Sequence, residues 1–376
     1  MNIKLGDLGV INTGNTPSMK IEEFYSSNDI PFIKPDSFGD MFRLNPSCFL
    51  ASVAEEKARI VEPGAILVTC IGTIGKVAIT NAKIAFNQQI NSISVNNNFD
   101  SEYIAYNILF NKFRLQSLSN SAVVPIINKS DFSKFEIKVE HNLEKQIKIK
   151  KWLNKVNQLK LLKEEQIRYL DLLIKSRFIE LFGDPNNPYN VLWPIVPISK
   201  VTDCMVPGRD KPKSFTGTIP WITIDDLIVN NTTEKSKNNI GLTVDEIKAV
   251  KRKCIPSGSI IMSCVGNLGL CSISACELVI NQQLHSFQCK SMVDNFYLMY
   301  YLSFLKGYMN KMATNTTVLY MNKTVCNSIP VILPPIELQH KFSKFLNKIN
   351  KLKSDVQKSI DETQLLMDSL MQEYFG

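Results

Sequence analysis

At 376 residues the chain is long enough for two domains of ordinary size, each with its own core. Its 44% hydrophobic and 21% charged residues are those of a soluble globular protein, and no uninterrupted apolar run is long enough to span a bilayer. A formal charge of +8 permits a polyanionic partner such as DNA without requiring one.

The chain opens with MNIKLGDLGVINTG, which lacks the basic-then-apolar pattern of a signal peptide, so a cytoplasmic location is expected. Gly64–Thr80 carries β-branched runs punctuated by glycine and predicts strand, tight turn, strand; Ile90–Val95 predicts a further strand. Asp100–Lys112 begins with a good N-cap residue and continues with apolar residues at helical spacing. Leu143–Gly183 places Leu153, Val156, Leu159, Leu162, Ile167, Leu170, Leu173, Ile174, Phe178 and Leu181 at steps of three and four, with Lys and Glu between them. That spacing predicts one long amphipathic helix with a single buried stripe, stopped at Gly183-Asp184-Pro185. Some 40 residues at 1.5 Å each reach ~60 Å, too long for an ordinary helix inside a small domain.

Beyond Pro185 the same order recurs. Gly64, Cys70, Gly72 and Gly75 fall on Gly258, Cys264, Gly266 and Gly269, an offset of 194 positions. At that offset Asn87-Gln88-Gln89 meets Asn281-Gln282-Gln283, Tyr103 and Tyr106 meet Tyr297 and Tyr300, and Asn128-Lys129 meets Asn322-Lys323. Gly258–Ser274 and Leu284–Gln288 repeat the strand patterns, and Asp294–Lys306 repeats the capped helix. After a one-residue shift Trp152–Val156 lies on Phe345–Ile349, and Phe182-Gly183 lies on Phe375-Gly376. The repeat predicts an α+β architecture of two similar mixed α/β modules, each followed by a long helix. The expected segments are a globular module at 1–140, a long helix at 141–183, a second module at 184–333 and a second long helix at 334–376. Pairing the two helices as an antiparallel coiled coil buries both stripes and gives a pseudo-twofold axis, with one module at each end of a rod. The loops differ between copies, Pro207–Thr218 being longer and more cationic than Thr13–Ser18. Two similar scaffolds with different loops, held a fixed distance apart, suit the reading of two different half-sites on one DNA duplex.

The chain resembles the specificity subunits of Type I restriction–modification enzymes. The residues carrying the resemblance are Leu5-Gly6-Asp7-Leu8 with Thr13–Pro17, Ile30–Lys34, Gly64 with Gly72–Gly75, Asn87-Gln88-Gln89, and the helix entries Leu143–Gln146 and Pro334–Gln339. The resemblance covers the whole chain and implies a non-catalytic DNA-binding subunit reading a bipartite, asymmetric target. It implies as partners double-stranded DNA, two methyltransferase subunits and the motor–nuclease subunits. Those partners, not this chain, supply the use of S-adenosylmethionine, ATP and Mg²⁺, so no cofactor is expected here.

Signs of chemistry within the chain are weak. Cys70 and Val77 break the Walker A pattern around Gly72-Thr73-Ile74-Gly75-Lys76, and Leu270 replaces the lysine in the second copy. The glycines instead permit a tight turn whose amides can approach a phosphate. Asp36 with Glu55-Glu56-Lys57, and Asp225 with Glu246 and Lys248, superficially match a metal-dependent nuclease, but they do not align between copies. A nuclease with its own active site is one alternative reading, and a two-domain adaptor that binds no DNA is the other. The nine cysteines contain no Cys-x-x-Cys pair and the three histidines no metal spacing, so the thiols read as reduced core residues, neither disulfides nor zinc ligands.

Residues that read different half-sites should differ between copies. On that ground Lys34/Thr223, Thr73/Asn267 and Val124-Pro125-Ile126/Val318-Leu319-Tyr320 are the base-reading candidates. Gln88, Gln89, Gln282 and Gln283 can pair with adenine in the major groove, or satisfy backbone groups of a shared scaffold. Lys20, Arg209, Lys211 and Lys213 are expected to grip phosphate, and Asn128-Lys129 and Asn322-Lys323 to make a shared backbone contact.

Overall fold

A computed structural model describes residues 2–119, 124–187, 192–208, 210–315 and 318–376. The chain divides into two compact units, Met1–Glu165 with Lys358–Gly376, and Gln166–Gln357. The helices Leu143–Phe182 and Ile336–Phe375 each contribute to both units.

In the first unit an antiparallel sheet runs in the order Gly9–Thr13, Ile90–Val95, Ile66–Thr69, Val77–Ile79. A second, mixed sheet contains Cys48–Leu50, Ile30–Ile33, Ile84–Phe86 and Ile60–Val61. The strand Ile66–Thr69 is buried along its whole length because its two faces serve different clusters. Ile66 and Val68 pack with Tyr103, Tyr106 and Phe132, while Leu67 packs with Ile33, Ile84 and Phe86. A strand buried on both faces has no need of polar alternation, hence the run Ile-Leu-Val.

The second unit copies the ladder to the residue. Ile66 opposes Ile93 and Ile79, and Ile260 opposes Phe287 and Ile273. Its main sheet adds Thr232–Thr233 as a fifth strand, parallel to Cys271–Ser274. The expected capped helices are Ser101–Phe110 and Asn295–Phe304; Asp100 accepts from the Tyr103 amide at 3.0 Å and Asp294 from the Tyr297 amide at 2.9 Å.

Each unit anchors the start of one long helix through a buried glutamine. Gln146 Oε1 accepts from the Asp100 amide at 2.8 Å and its Nε2 donates to Glu140 O at 2.6 Å. Gln339 repeats this with the Asp294 amide at 2.8 Å, Pro334 O at 2.8 Å and Met292 O at 3.2 Å. Lys150 adds an ion pair to Asp100 at 2.5 Å. Burial works against the lysine charge, but Asp100 and Glu102 outweigh it and raise its pKa.

Within each unit the two long helices pack against each other, antiparallel. In the first, Lys160 Nζ donates to Gln364 at 2.7 Å, and Lys163 Nζ to Ser359 Oγ at 2.7 Å and Thr363 Oγ1 at 2.8 Å. There Leu153, Met371 and Phe375 enter the core. In the second, Lys353 pairs with Asp171 at 2.5 Å, and Ile174, Phe178 and Phe182 pack with Phe342, Leu346 and Ile349. The expected stripe is corrected in its middle, where Leu159, Leu162 and Leu173 are exposed. Successive steps of three drift around an α-helix, whereas a seam needs alternating threes and fours. From Leu153 and Val156 that alternation reaches Lys160 and Lys163, whose contacts in this seam are therefore polar. Among the described residues no helix is long and apolar enough to cross a membrane.

Candidate nucleic-acid interface

The glycine turn of each unit is wired by one hydroxyl. Thr69 Oγ1 donates to Thr73 O at 2.5 Å and accepts from the Lys76 amide at 3.0 Å. Ser263 Oγ donates to Asn267 O at 2.6 Å and accepts from the Leu270 amide at 2.8 Å. Gly72 and Gly266 take φ of 74° and 72°, and Gly75 and Gly269 take 84° and 75°, a region that side chains with a Cβ rarely enter. At Gly75 an added Cβ also meets Lys112 Cγ at 2.7 Å.

A second segment docks on each turn. The Gly72 amide donates to Pro125 O at 2.9 Å, and the Ile127 amide to Cys70 O at 2.9 Å. The Gly266 amide donates to Leu319 O and the Met321 amide to Cys264 O, both at 2.9 Å. Isolated bridges join Ile71 to Ile126 and Val265 to Tyr320. The structure thus brings together two pairs that sequence comparison selected separately, Thr73/Asn267 and the 124–126/318–320 segments. Their side chains face solvent, with Val124 44%, Ile126 40%, Val318 50% and Tyr320 39% exposed. The segments lead into the helices Lys129–Lys134 and Lys323–Asn327, where Lys129 and Lys323 are exposed.

Other candidates separate by what their side chains do. Gln89 and Gln283 close turns: their Oε1 atoms accept from Asn87 Nδ2 at 2.9 Å and Asn281 Nδ2 at 3.0 Å. The intervening Gln88 and Gln282 are exposed, and Gln88 Oε1 accepts from Thr16 Oγ1 at 2.7 Å. Asn128 and Asn322 are helix N-caps, accepting from the Asp131 amide at 2.8 Å and the Val325 amide at 2.9 Å. Lys34 Nζ donates to Cys48 Sγ at 3.2 Å and lies over the Phe32 ring. Thr223, at the matching position, donates its hydroxyl to Asp226 at 2.7 Å and closes a capping box. Burial works to raise the Asp226 pKa, but hydrogen bonds from Thr223, Lys237 and Ser236 outweigh it and hold the carboxylate below its usual range. Lys20, Lys211 and Lys213 are exposed, while Arg209 lies outside the described residues.

Sequence comparison left out Lys112 and Lys306, which also sit at the repeat offset. Lys306 Nζ donates to Asn267 Oδ1 at 2.7 Å, and beside Lys112, Gln116 Nε2 donates to Ile74 O at 3.0 Å. Matching cations after matching capped helices were the available signal.

Two of the carboxylates that resemble a nuclease motif, Glu55 and Glu246, are occupied with local structure. Glu55 pairs with Lys83. Glu246 accepts from Ser214 Oγ at 2.5 Å and from the Thr243 amide at 2.8 Å, and these bonds, that from Ser214 foremost, push its pKa down to about 2. Among the described residues they join no group of three metal-ligating side chains.

Comparison with known proteins adds the family. Over 139 residues, 35% of its length, the chain is 34% identical to the Type I restriction enzyme HindI specificity subunit of Haemophilus influenzae, covering 30% of that protein. Over 188 residues, 48% of its length, it is 29% identical to the Type I restriction enzyme MjaIX specificity subunit of Methanocaldococcus jannaschii, covering 43% of it. The matched parts thus span less than half of these relatives. The crystal structure of the Type I restriction–modification system S subunit from M. genitalium shares the fold, with a TM-score of 0.62 at 13% identity over 100% of this chain and 96% of that one. Residues 1–169 and 198–363, which take in both turns and both docked segments, match the Type I restriction modification DNA specificity domain, and the chain belongs to that family.

Proposed function

We propose that this protein is the DNA-specificity subunit of a Type I restriction–modification system, acting in the cytoplasm and carrying out no chemistry itself. Each unit reads one half of a bipartite, asymmetric target. The observation that carries this reading is the paired turn and docked segment, identical in backbone wiring and different in exposed side chains. A duplicated frame with unlike tips is what two unlike half-sites require. Lys129 and Lys323, at the helix starts beside the tips, together with Lys20, Lys211 and Lys213, supply phosphate contacts.

The two long helices form an antiparallel coiled coil that fixes the unread spacer between half-sites. They also dock two methyltransferase subunits, and motor–nuclease subunits join through these. Support for docking comes from apolar side chains the helices leave in solvent: Leu159, Leu162, Leu365 and Leu366 on the first unit, Tyr169, Leu172, Leu173 and Leu352 on the second. The segments 1–140, 141–183, 184–333 and 334–376 are the functional divisions of this scheme.

Methylome sequencing of cells with and without the gene tests the reading. A bipartite methylated motif is expected to vanish on deletion and return on complementation. Cleavage of DNA by the purified chain with Mg²⁺ alone would refute it in favour of a self-contained nuclease. DNA binding that is absent or insensitive to salt would favour an adaptor.

A further inference from the structure

The second unit holds a side-chain cluster that DNA recognition does not use. Cys264 follows the strand Ile260–Ser263, His285 lies within Leu284–Cys289, and Cys326 lies on the helix Lys323–Asn327. Both sulfurs and one imidazole nitrogen lie within 4.8 Å of one another, and the two sulfurs are 3.6 Å apart. All three residues are at most 1% exposed. His285 Nδ1 is buried with no hydrogen-bond partner, which a core histidine ordinarily has.

The first unit shows what the scaffold itself needs at these places. Its matching residues are Cys70, Asn91 and Phe132, all buried. There Asn91 Nδ2 donates to Cys70 Sγ at 3.3 Å, Thr13 Oγ1 donates to Asn91 Oδ1 at 2.7 Å, and the Phe132 ring is buried in the same core cluster as Cys70. In the second unit the corresponding ladder ends at Met205 opposite Ser286, and the next residue, Val206, has no hydroxyl to offer. The second copy has thus replaced a satisfied amide and a large ring by an imidazole whose Nδ1 has no partner and a small thiol. Both changes introduce metal-binding atoms and neither improves the core.

We propose that Cys264, His285 and Cys326 form a buried site for a thiophilic divalent cation of the Zn²⁺ class. With metal–sulfur bonds of about 2.3 Å, a tetrahedral site sets its two sulfurs about 3.8 Å apart, close to the 3.6 Å found. Two thiolates and a neutral imidazole bring a divalent ion to zero net charge, the condition for burial without a counter-ion. A cuprous ion leaves one uncompensated negative charge, and Mg²⁺ or Ca²⁺ demands oxygen ligands. Loading releases the two thiol protons to solvent. The remaining coordination position belongs to water or another donor. A bound ion ties the glycine turn, which begins at Cys264, to the helix that carries Lys323, and so stiffens one docked tip of the interface.

The test uses the full chain, reduced, incubated with Zn²⁺ and dialysed, with metal counted by mass spectrometry. About one tightly held zinc per chain is expected, falling to a trace in His285→Asn and Cys326→Ser. Co²⁺ in its place should give an intense near-ultraviolet thiolate-to-cobalt band in the wild type that both variants lose. Should either variant fail to fold, the wild-type cobalt band still decides the matter. Zinc at or below a tenth of an ion per chain with no cobalt band overturns the site. So does equal zinc in wild type and variants, which marks an adventitious ion only. A Cys264–Cys326 disulfide that forms in air despite added Zn²⁺ also overturns it, and makes the pair a redox couple instead.

Discussion

Replacing Gln339 by alanine tests whether a single buried amide fixes the C-terminal helix to the second unit. The side chain is fully buried and makes three bonds, to the Asp294 amide, Pro334 O and Met292 O. Truncation strands one donor and two acceptors. Each buried unsatisfied group costs roughly 1–3 kcal/mol, although a water admitted to the space lowers the sum. A loss of about 3 kcal/mol is therefore expected, confined to the second unit because all partners lie within it. Two units need not unfold as one, so calorimetry should be combined with hydrogen exchange resolved by residue. Protection should fall at Tyr297 and Leu298, next to the Asp294 cap, and remain unchanged at Tyr103 and Ile104. Gln339→Glu sharpens the test, since it sets a carboxylate against two carbonyl oxygens. Its folded pKa must then rise above the unfolded value, so the folded state binds the extra proton. Stability of this variant should improve as pH falls through the folded pKa and worsen as pH rises, the reverse of an ordinary ion-paired carboxylate. A cost below about 0.5 kcal/mol for Gln339→Ala, or equal loss of protection in both units, would refute the anchor.

Phe178 touches the rings of Phe182, Tyr297, Phe304 and Phe342, so Phe178→Ala should destabilise the second unit by about 3–5 kcal/mol in the same calorimetric assay. Replacing Lys129 and Lys323 by glutamine should lower the slope of log affinity against log salt by about 0.9 for each phosphate no longer neutralised, with the methylated motif unchanged. Exchanging Thr73→Asn together with Ile126→Tyr should alter one half of that motif and leave the other intact, as read by methylome sequencing; a change in both halves would remove the assignment of one unit to one half-site. Inserting two whole helical turns at Leu159–Leu173, with a matching insertion in the C-terminal helix to keep the pairing, should lengthen the unread spacer while preserving both half-sites.

Features written in neighbouring residues were legible without coordinates. The glycine turns, the Asp100 and Asp294 caps and the strand runs all rest on spacing of a few positions, and the duplication confirmed each against its twin. The seam of the long helix was legible only at its ends. Leu159, Leu162 and Leu173 look like core by composition, yet the alternation of threes and fours hands the seam to Lys160 and Lys163. Lys34 and Thr223 stand at matching places after the strands Ile30–Ile33 and Ile219–Ile222, but only coordinates show that Asp226 holds the threonine hydroxyl while the lysine reaches Cys48. Cys264, His285 and Cys326 carry no spacing signature at all. Ladder register sets His285 opposite Met262, two residues before Cys264 and so on the same face, and a helix from farther along the chain supplies the third.

A duplicated frame separates the work of its residues in a way one copy cannot. Thr69 and Ser263 wire the turns, Asn87–Gln89 and Asn281–Gln283 close the next ones, and Gln146 and Gln339 hold the helices; each pair makes matching bonds in both units. Such positions specify the fold and, being alike, could not tell apart the two half-sites proposed for this chain. Thr73 against Asn267 and Ile126 against Tyr320 occupy matching backbone places with different chemistry in solvent, and only positions of that kind can discriminate. Gln88 and Gln282 fall between the two classes, identical yet exposed. If each unit reads one half-site as proposed, a side chain common to both can serve only what the half-sites share, which on DNA is the sugar–phosphate backbone or a common base pair. The same logic isolates His285 and Cys326, because a buried position that has departed from its satisfied twin answers to something other than the shared fold.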